Sequence, residues 1–200
     1  MATRLSYPED HASHLPFLIG VGAYFTIRSV FEFGSGTYST PLFLNKKAFP
    51  KVEEVVSVEL DCEWRKKVRN VCGEDNRLSM LEKDPSIRSF RDLDIACIDL
   101  IFVDNGPEQH KIETIQWMSQ ACITDVLVVV HDAEHVPYRA EIDKFQSKLV
   151  SEKYNPGVAL CSNASCGMFT PNFFEIEAKV SSNYHLAVTD VQSWIEVFRG

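Results

Sequence analysis

The stretch Ser29–Thr40 is the tightest constraint on how this chain can fold. Ser29-Val-Phe-Glu-Phe33 alternates in the manner of a buried strand, and Gly34-Ser35-Gly36 ends it abruptly. The residues that follow read as the opening of a helix, with Thr40 as its N-cap and Pro41 at its first position. A strand that stops in a glycine turn and feeds a helix encloses a small cavity. Its floor is built of backbone N–H groups, and the glycines let a ligand come close. Such a cavity suits the carboxylate or phosphate groups of a nucleotide-like cofactor.

Gly34 and Gly36 supply two of the three glycines of a dinucleotide fingerprint. Two acids sharpen the pattern. Glu32 stands two positions before Gly34, where a dinucleotide fold carries an apolar side chain. Val55-Val-Ser-Val-Glu59 is a second strand ending in an acid, placed to accept hydrogen bonds from both hydroxyls of a ribose. Together, Glu32-Phe-Gly-Ser-Gly36 and Val55-Val-Ser-Val-Glu59 resemble the first two motifs of the class I S-adenosylmethionine-dependent methyltransferases. The resemblance spans roughly residues 11 to 170. It implies an α/β fold: a three-layer α-β-α sandwich on a seven-stranded, mostly parallel sheet whose last strand is antiparallel.

The remaining elements follow in order. Residues 11–25 read as a helix, with Leu15, Leu18, Ile19 and Gly22 at helical spacing, and His11 and His14 read as capping or surface residues. A helix over 41–49 stops at Pro50, a strand covers 55–59, and a helix covers 62–71. Trp64 follows Glu59 closely enough to lie against an adenine or to cap the core. Residues 78–81 form a third strand, and 85–94 a loop or irregular helix. Asp99–Asp104 is a buried strand that turns at Asn105-Gly106-Pro107 into a helix over 109–121. Asp125–Val130 is a continuous apolar run suited to the middle of a parallel sheet. A helix over 138–150 then precedes a hairpin of strands 154–160 and 166–170 about Ser162–Ser165. We read one domain over 1–200: the N-terminal helix, a cofactor-binding half at 29–104, a substrate-side half at 105–170, and an extension, 171–200, without a pattern.

Composition excludes several classes. A hydrophobic content of 45% suits one core, and a net charge of -8 lacks the basic face that nucleic acid requires. The cluster Arg65-Lys66-Lys67 with Arg69 reads as a solvated helix face. No apolar run approaches the ~20 residues of a membrane span, and the N-terminus has no signal-peptide core. Six cysteines without CxxC spacing read as reduced thiols of a cytoplasmic protein, although Cys161 and Cys166 could face each other across the hairpin.

Ligands of an open parallel sheet bind outside the carboxyl ends of its strands. The acids that end the apolar strands therefore converge on one edge. The resemblance implies that S-adenosyl-L-methionine is held by Glu32, Gly34, Ser35, Gly36, Glu59 and Trp64, with Glu82 or Asp84 at the adenine and Asp104 facing the reactive end. His131 is the candidate general base, with Asp104 and Asp132 beside it; a histidine that only caps its strand is the alternative. Asp104, His131 and Asp132, with His135 or His110 nearby, also carry donors for a divalent cation. Cation-dependent O-methyltransferases have an Asp-Asn pair where this chain has His131-Asp132, so no metal is expected to be required. The expected activity is methylation of a small-molecule acceptor at oxygen or nitrogen. A NAD(P)-dependent oxidoreductase is disfavoured by Glu32 and the missing glycine, and a non-catalytic protein of the same fold is the third reading. Neither nucleic acid nor membrane is expected as a partner, and the extension is free to contact a second subunit in a homodimer.

Overall fold

The computed structural model describes residues 13–121, 125–151 and 156–164. Its centre is a seven-stranded sheet in the order β3-β2-β1-β4-β5-β7-β6. The strands are β1 (Ser29–Phe33), β2 (Glu54–Val58), β3 (Leu78–Leu81), β4 (Leu100–Val103), β5 (Leu127–His131), β6 (Ser147–Ser151) and β7 (Val158–Ser162). All pairings among β1 to β5 are parallel, and β7 runs antiparallel to both β5 and β6. The strand order reverses between β1 and β4, the switch point where open α/β sheets place their ligands.

Strand periodicity divides the core into two layers. Val30, Val55, Leu100, Phe102, Leu127, Val129 and Leu160 pack with Leu15, Leu18 and Val21 of helix α1 (Leu15–Tyr24) and with Leu42 and Phe43 of α2 (Ser39–Leu44). Phe31, Phe33, Ile101, Val103, Val128 and Val130 pack on the opposite face. Their partners there are Ile115 and Met118 of α4 (Glu108–Gln120) and Ile142 of α5 (Val136–Ile142). Helix α3 (Cys62–Cys72) is capped by Asp61, whose carboxylate accepts the Trp64 N–H, and buries Val68. Within the described residues no helix is long and apolar enough to cross a membrane.

Four sequence expectations need correction. Thr40 does not cap α2: the helix begins at Ser39 with Tyr38 at the cap position, and it ends at Leu44 instead of 49. The Thr40 hydroxyl is committed to Glu32. The expected helix over 138–150 stops at Ile142, and Ser147–Ser151 is strand β6. The hairpin is therefore 147–151 with 158–162, one strand earlier than read, because β7 pairs with β6 on its outer side. The expected strand 166–170, Cys166 and the extension lie outside the described residues. Residues 85–94 hold a 3-10 turn at Ile87–Phe90, close to expectation.

Candidate functional site

Glu32 sits on the same strand face as Val30 but beneath the start of α2, and it is fully buried. Ser39, Thr40 and Ser57 donate hydroxyls to its carboxylate, Thr40 at 2.6 Å. Ser57 is its register neighbour on β2, and Ser57 and Ser35 share a further hydrogen bond of 2.7 Å. Burial raises the Glu32 carboxyl to about 7, and the three hydroxyls only partly oppose it. Glu32 therefore pins the glycine loop from behind and is not among the residues that line the cavity in front of it.

The loop itself differs from a ready anion cradle. Gly34 and Ser35 both donate their N–H to Val58 O at 3.2 Å, and Gly36 donates to Thr40 Oγ1 at 3.1 Å. These three N–H groups are spent inside the protein. The glycines serve close approach instead. Gly34 has φ +88°, and a Cβ there would lie 2.6 Å from Asp104 O; a Cβ on Gly36 would meet Ser39 Oγ at 2.4 Å. The tips of β1 and β4 are thus in backbone contact across the switch point.

In front of this loop opens a cavity of about 960 Å³. Gly34, Ser35, Gly36, Glu59 and Trp64 line one end, and Asp104, Lys111, His131, Asp132 and Tyr138 the other. Glu59 is fixed by the Asp61 N–H on Oε1 at 2.8 Å, and burial raises its carboxyl against that bond. The Trp64 indole donates to Ser35 O at 2.7 Å, so helix α3 holds the glycine loop from its other side. The Lys67 ammonium lies 4.6 Å from the Trp64 ring centroid. Glu82 is not part of this end: Arg65 draws it away at 2.6 Å, and its side chain is 68% exposed. Asp84, the alternative, pairs with His110 at 3.3 Å.

At the far end, elements from both faces converge on the tips of β4 and β5. His131 Nδ1 lies 3.1 Å from Asp104 Oδ1, and His131 Nε2 lies 3.0 Å from Ser13 Oγ just before α1. The His14 ring stands edge-on to His131 at 4.8 Å. Serine, histidine and aspartate line up here as in a hydrolytic triad, but Ser13 is fully buried and off the cavity, so its hydroxyl orients the imidazole. Burial would lower the His131 pKa, yet the Asp104 carboxylate outweighs it and the net shift is upward. His131 lines the cavity beside Asp104 with both ring nitrogens engaged, by Asp104 and Ser13, and with its charged form favoured. Asp132 adopts φ +58°, a left-handed conformation that costs an aspartate on the order of 1 kcal/mol and that gathers at functional sites.

Lys111 is the residue that sequence reasoning missed. Its ammonium donates to Asp104 Oδ1 at 3.0 Å and Asp132 Oδ2 at 2.7 Å, and its side chain is 2% exposed. Burial alone would lower its pKa, but the two carboxylates raise it; the ammonium and His131 in turn hold Asp104 well below the usual carboxylate range despite its own desolvation. The signal was present in α4: Lys111, Thr114, Ile115 and Met118 form its buried stripe, and a lysine on such a stripe needs a buried counter-charge. The ammonium lies between Asp104 and Asp132, two of the three residues expected to offer donors to a divalent cation. Of the histidines expected to assist, His110 pairs with Asp84 and His135 faces Glu108 at 3.8 Å.

No protein-family model matches the chain, and no curated protein matches its sequence. Solved structures match its fold. Human methyltransferase-like protein 13 in complex with SAH superposes with a TM-score of 0.59 at 16% identity, over 86% of this chain and 91% of that one. A probable spermidine synthase from Corynebacterium glutamicum gives 0.59 at 13% identity, over 88% and 73%. A spermidine synthase in complex with the transition-state analogue AdoDATO gives 0.56 at 13% identity over 78% of this chain, which spans 60% of that protein's length. The fold is that of the class I methyltransferases.

Proposed function

We propose that the cavity binds S-adenosylmethionine and that the protein methylates an oxygen or nitrogen of a small acceptor held at Asp104 and Asp132. The observation that carries this reading is the continuity of one cavity from the loop Gly34–Gly36, Glu59 and Trp64 to the acid pair at β4 and β5. Its volume of about 960 Å³ exceeds the needs of a cofactor alone and leaves space for an acceptor. The SAH complex of methyltransferase-like protein 13 supports the cofactor assignment by fold analogy.

The residues at the first end fit that cofactor. Glu59 presents a carboxylate to a ribose diol, the indole of Trp64 offers a flat apolar surface to adenine, and the glycine loop lets the chain pass close beneath. When bound, S-adenosylmethionine supplies an electrophilic methyl group on a sulfonium. The protein's own contribution is alignment of the acceptor with that methyl. Asp104 keeps its charge through Lys111 and His131, and so it accepts a hydrogen bond from an acceptor hydroxyl or amine without taking its proton. Asp132, whose side chain is 36% exposed against 29% for Asp104, offers a second carboxylate oxygen to the acceptor on the open side of the cavity, where the acceptor's proton leaves to solvent.

Calorimetric titration with S-adenosylhomocysteine, with NAD in parallel and Glu59→Ala as control, tests the reading. We expect micromolar binding of S-adenosylhomocysteine alone, weakened at least about tenfold in Glu59→Ala as one bidentate charge-assisted contact is lost. Absence of binding overturns it, and binding of NAD instead moves the protein to the oxidoreductases.

A further inference from the structure

Two carboxylates and an imidazole meet at the tips of β4 and β5. His131 Nδ1 is 3.1 Å from Asp104 Oδ1 and 3.6 Å from Asp132 Oδ1. His14, Asp104 and His131 also offer ligand atoms within 4.8 Å of one another. Hard oxygens with an imidazole nitrogen form a donor set that divalent first-row ions take up. Here the space between the acids is filled from the opposite layer of the molecule. The Lys111 ammonium touches both carboxylates, at 3.0 and 2.7 Å, and the Tyr138 ring lies 5.0 Å from it. Its N–H groups meet two carboxylate oxygens and an aromatic face, a full set of partners for a cation kept from water.

Charge decides between the two occupants. With Lys111 in place, one cation faces two carboxylates and His131 stands by as a second, so the cluster is already close to neutral. A divalent ion would bring like charge to within a few ångströms of the ammonium, where repulsion is strongest in a sheltered site. A lysine also costs an ion site its open positions, because it reaches from α4 and cannot be displaced without exposing a buried, unpaired ammonium.

We propose that Lys111 is the built-in cation of this site: its ammonium occupies the position of a divalent ion between Asp104 and Asp132, holds both carboxylates in place, and excludes a metal. The inference rests on the geometry of the acid pair and stands whether or not the cavity's cofactor is S-adenosylmethionine. It predicts a latent ion site. Removing the ammonium while keeping the length of the side chain leaves Asp104, Asp132 and His131 around an unneutralised gap.

The test is Mn²⁺ binding, followed by electron paramagnetic resonance and calorimetry, on the wild type, Lys111→Met, Lys111→Gln and Lys111→Met combined with Asp132→Asn. Circular dichroism with EDTA or Mn²⁺ reports the folded fraction of each. We expect no saturable Mn²⁺ site in the wild type and a melting temperature indifferent to EDTA. Either single variant gains one Mn²⁺ per chain, at least about tenfold tighter than any wild-type binding, and Mn²⁺ raises its melting temperature; the double variant loses the gain. Wild-type Mn²⁺ binding that Asp104→Asn abolishes overturns the proposal. So do single variants that Mn²⁺ neither binds nor restores to the fold.

Discussion

Glu32 joins strand β1 to strand β2 and helix α2 through one carboxylate, and its proton is a lever on all three. Three hydroxyls donate to it inside a fully buried site, yet desolvation prevails and its pKa rises from 4.5 to about 7. The folded state therefore holds the proton more tightly than the unfolded chain does. Its contribution is complete below pH 4.5 and is lost as the pH rises to about 7, a loss of about 3 kcal/mol from a shift of this size. Glu32→Gln removes the ionisation and keeps an acceptor for the hydroxyls. Urea unfolding at pH 4.5, 6 and 8 is expected to show a decline in the wild type that Glu32→Gln flattens by about that amount. The sequence singled out Glu32 because an acid replaced an apolar residue in a strand, but it could not say what the carboxylate faced. Its position on the strand face under α2 is a consequence of packing, as are the hydroxyls that meet it. The same holds for Lys111, whose two partners lie seven and 21 positions away in the chain.

At the scale of elements, the loop between β1 and α2 is clamped between neighbours. Trp64 of α3 holds Ser35 O, Val58 O at the end of β2 takes two of its N–H groups, and Gly34 rests against the backbone of Asp104. Gly34→Ala places a methyl 2.6 Å from Asp104 O at a φ of +88°, which no L side chain adopts readily. We expect it to lower stability by on the order of 3 kcal/mol in thermal unfolding and to abolish S-adenosylhomocysteine binding in calorimetry. A variant that keeps wild-type affinity would show that the loop does not shape the cofactor end. Strands β4 and β5 were legible because each is a fully buried apolar run with a polar residue at its end, as parallel burial demands, while β1 was marked by the glycine turn that closes it. The segment after α5 was not. Tyr138, Ile142, Phe145 and Leu149 recur near helical spacing, so a helix through 150 satisfied the local pattern. Pairing with β7 overrides it: Leu149 sits opposite Leu160 in an antiparallel ladder that helical periodicity in one segment does not reveal.

Across the whole molecule, the site belongs to neither layer. Ser13 and His14 arrive from the α1 side and Lys111 from the α4 side, and they meet on acids carried by two central strands. Ionisation at this junction therefore reports on the assembly of the full sandwich. Asp104 is held well below its usual range by Lys111 and His131 against the pull of desolvation, so its contribution is present above pH 3.8 and is lost on further acidification. His131 is raised above 6.5 by Asp104, again against desolvation, so its contribution is complete below pH 6.5 and is lost as the pH rises through the folded value. Glu32 begins to lose its own contribution above pH 4.5. The three limbs place the stability maximum on the acid side of neutrality, between roughly pH 4 and 6, toward or below the acid end of the range of about pH 5 to 8 where such linkage commonly puts it. Melting temperatures from pH 3 to 9 are expected to trace that peak. In Asp104→Asn the acid limb should flatten, because the depressed carboxylate is gone. The alkaline limb should flatten as well, because His131 loses the charge that raised it. In Glu32→Gln only the alkaline limb should change. A profile that peaks above pH 8, or an Asp104→Asn profile unchanged on either limb, would show that these ions are not joined across the layers as the distances place them.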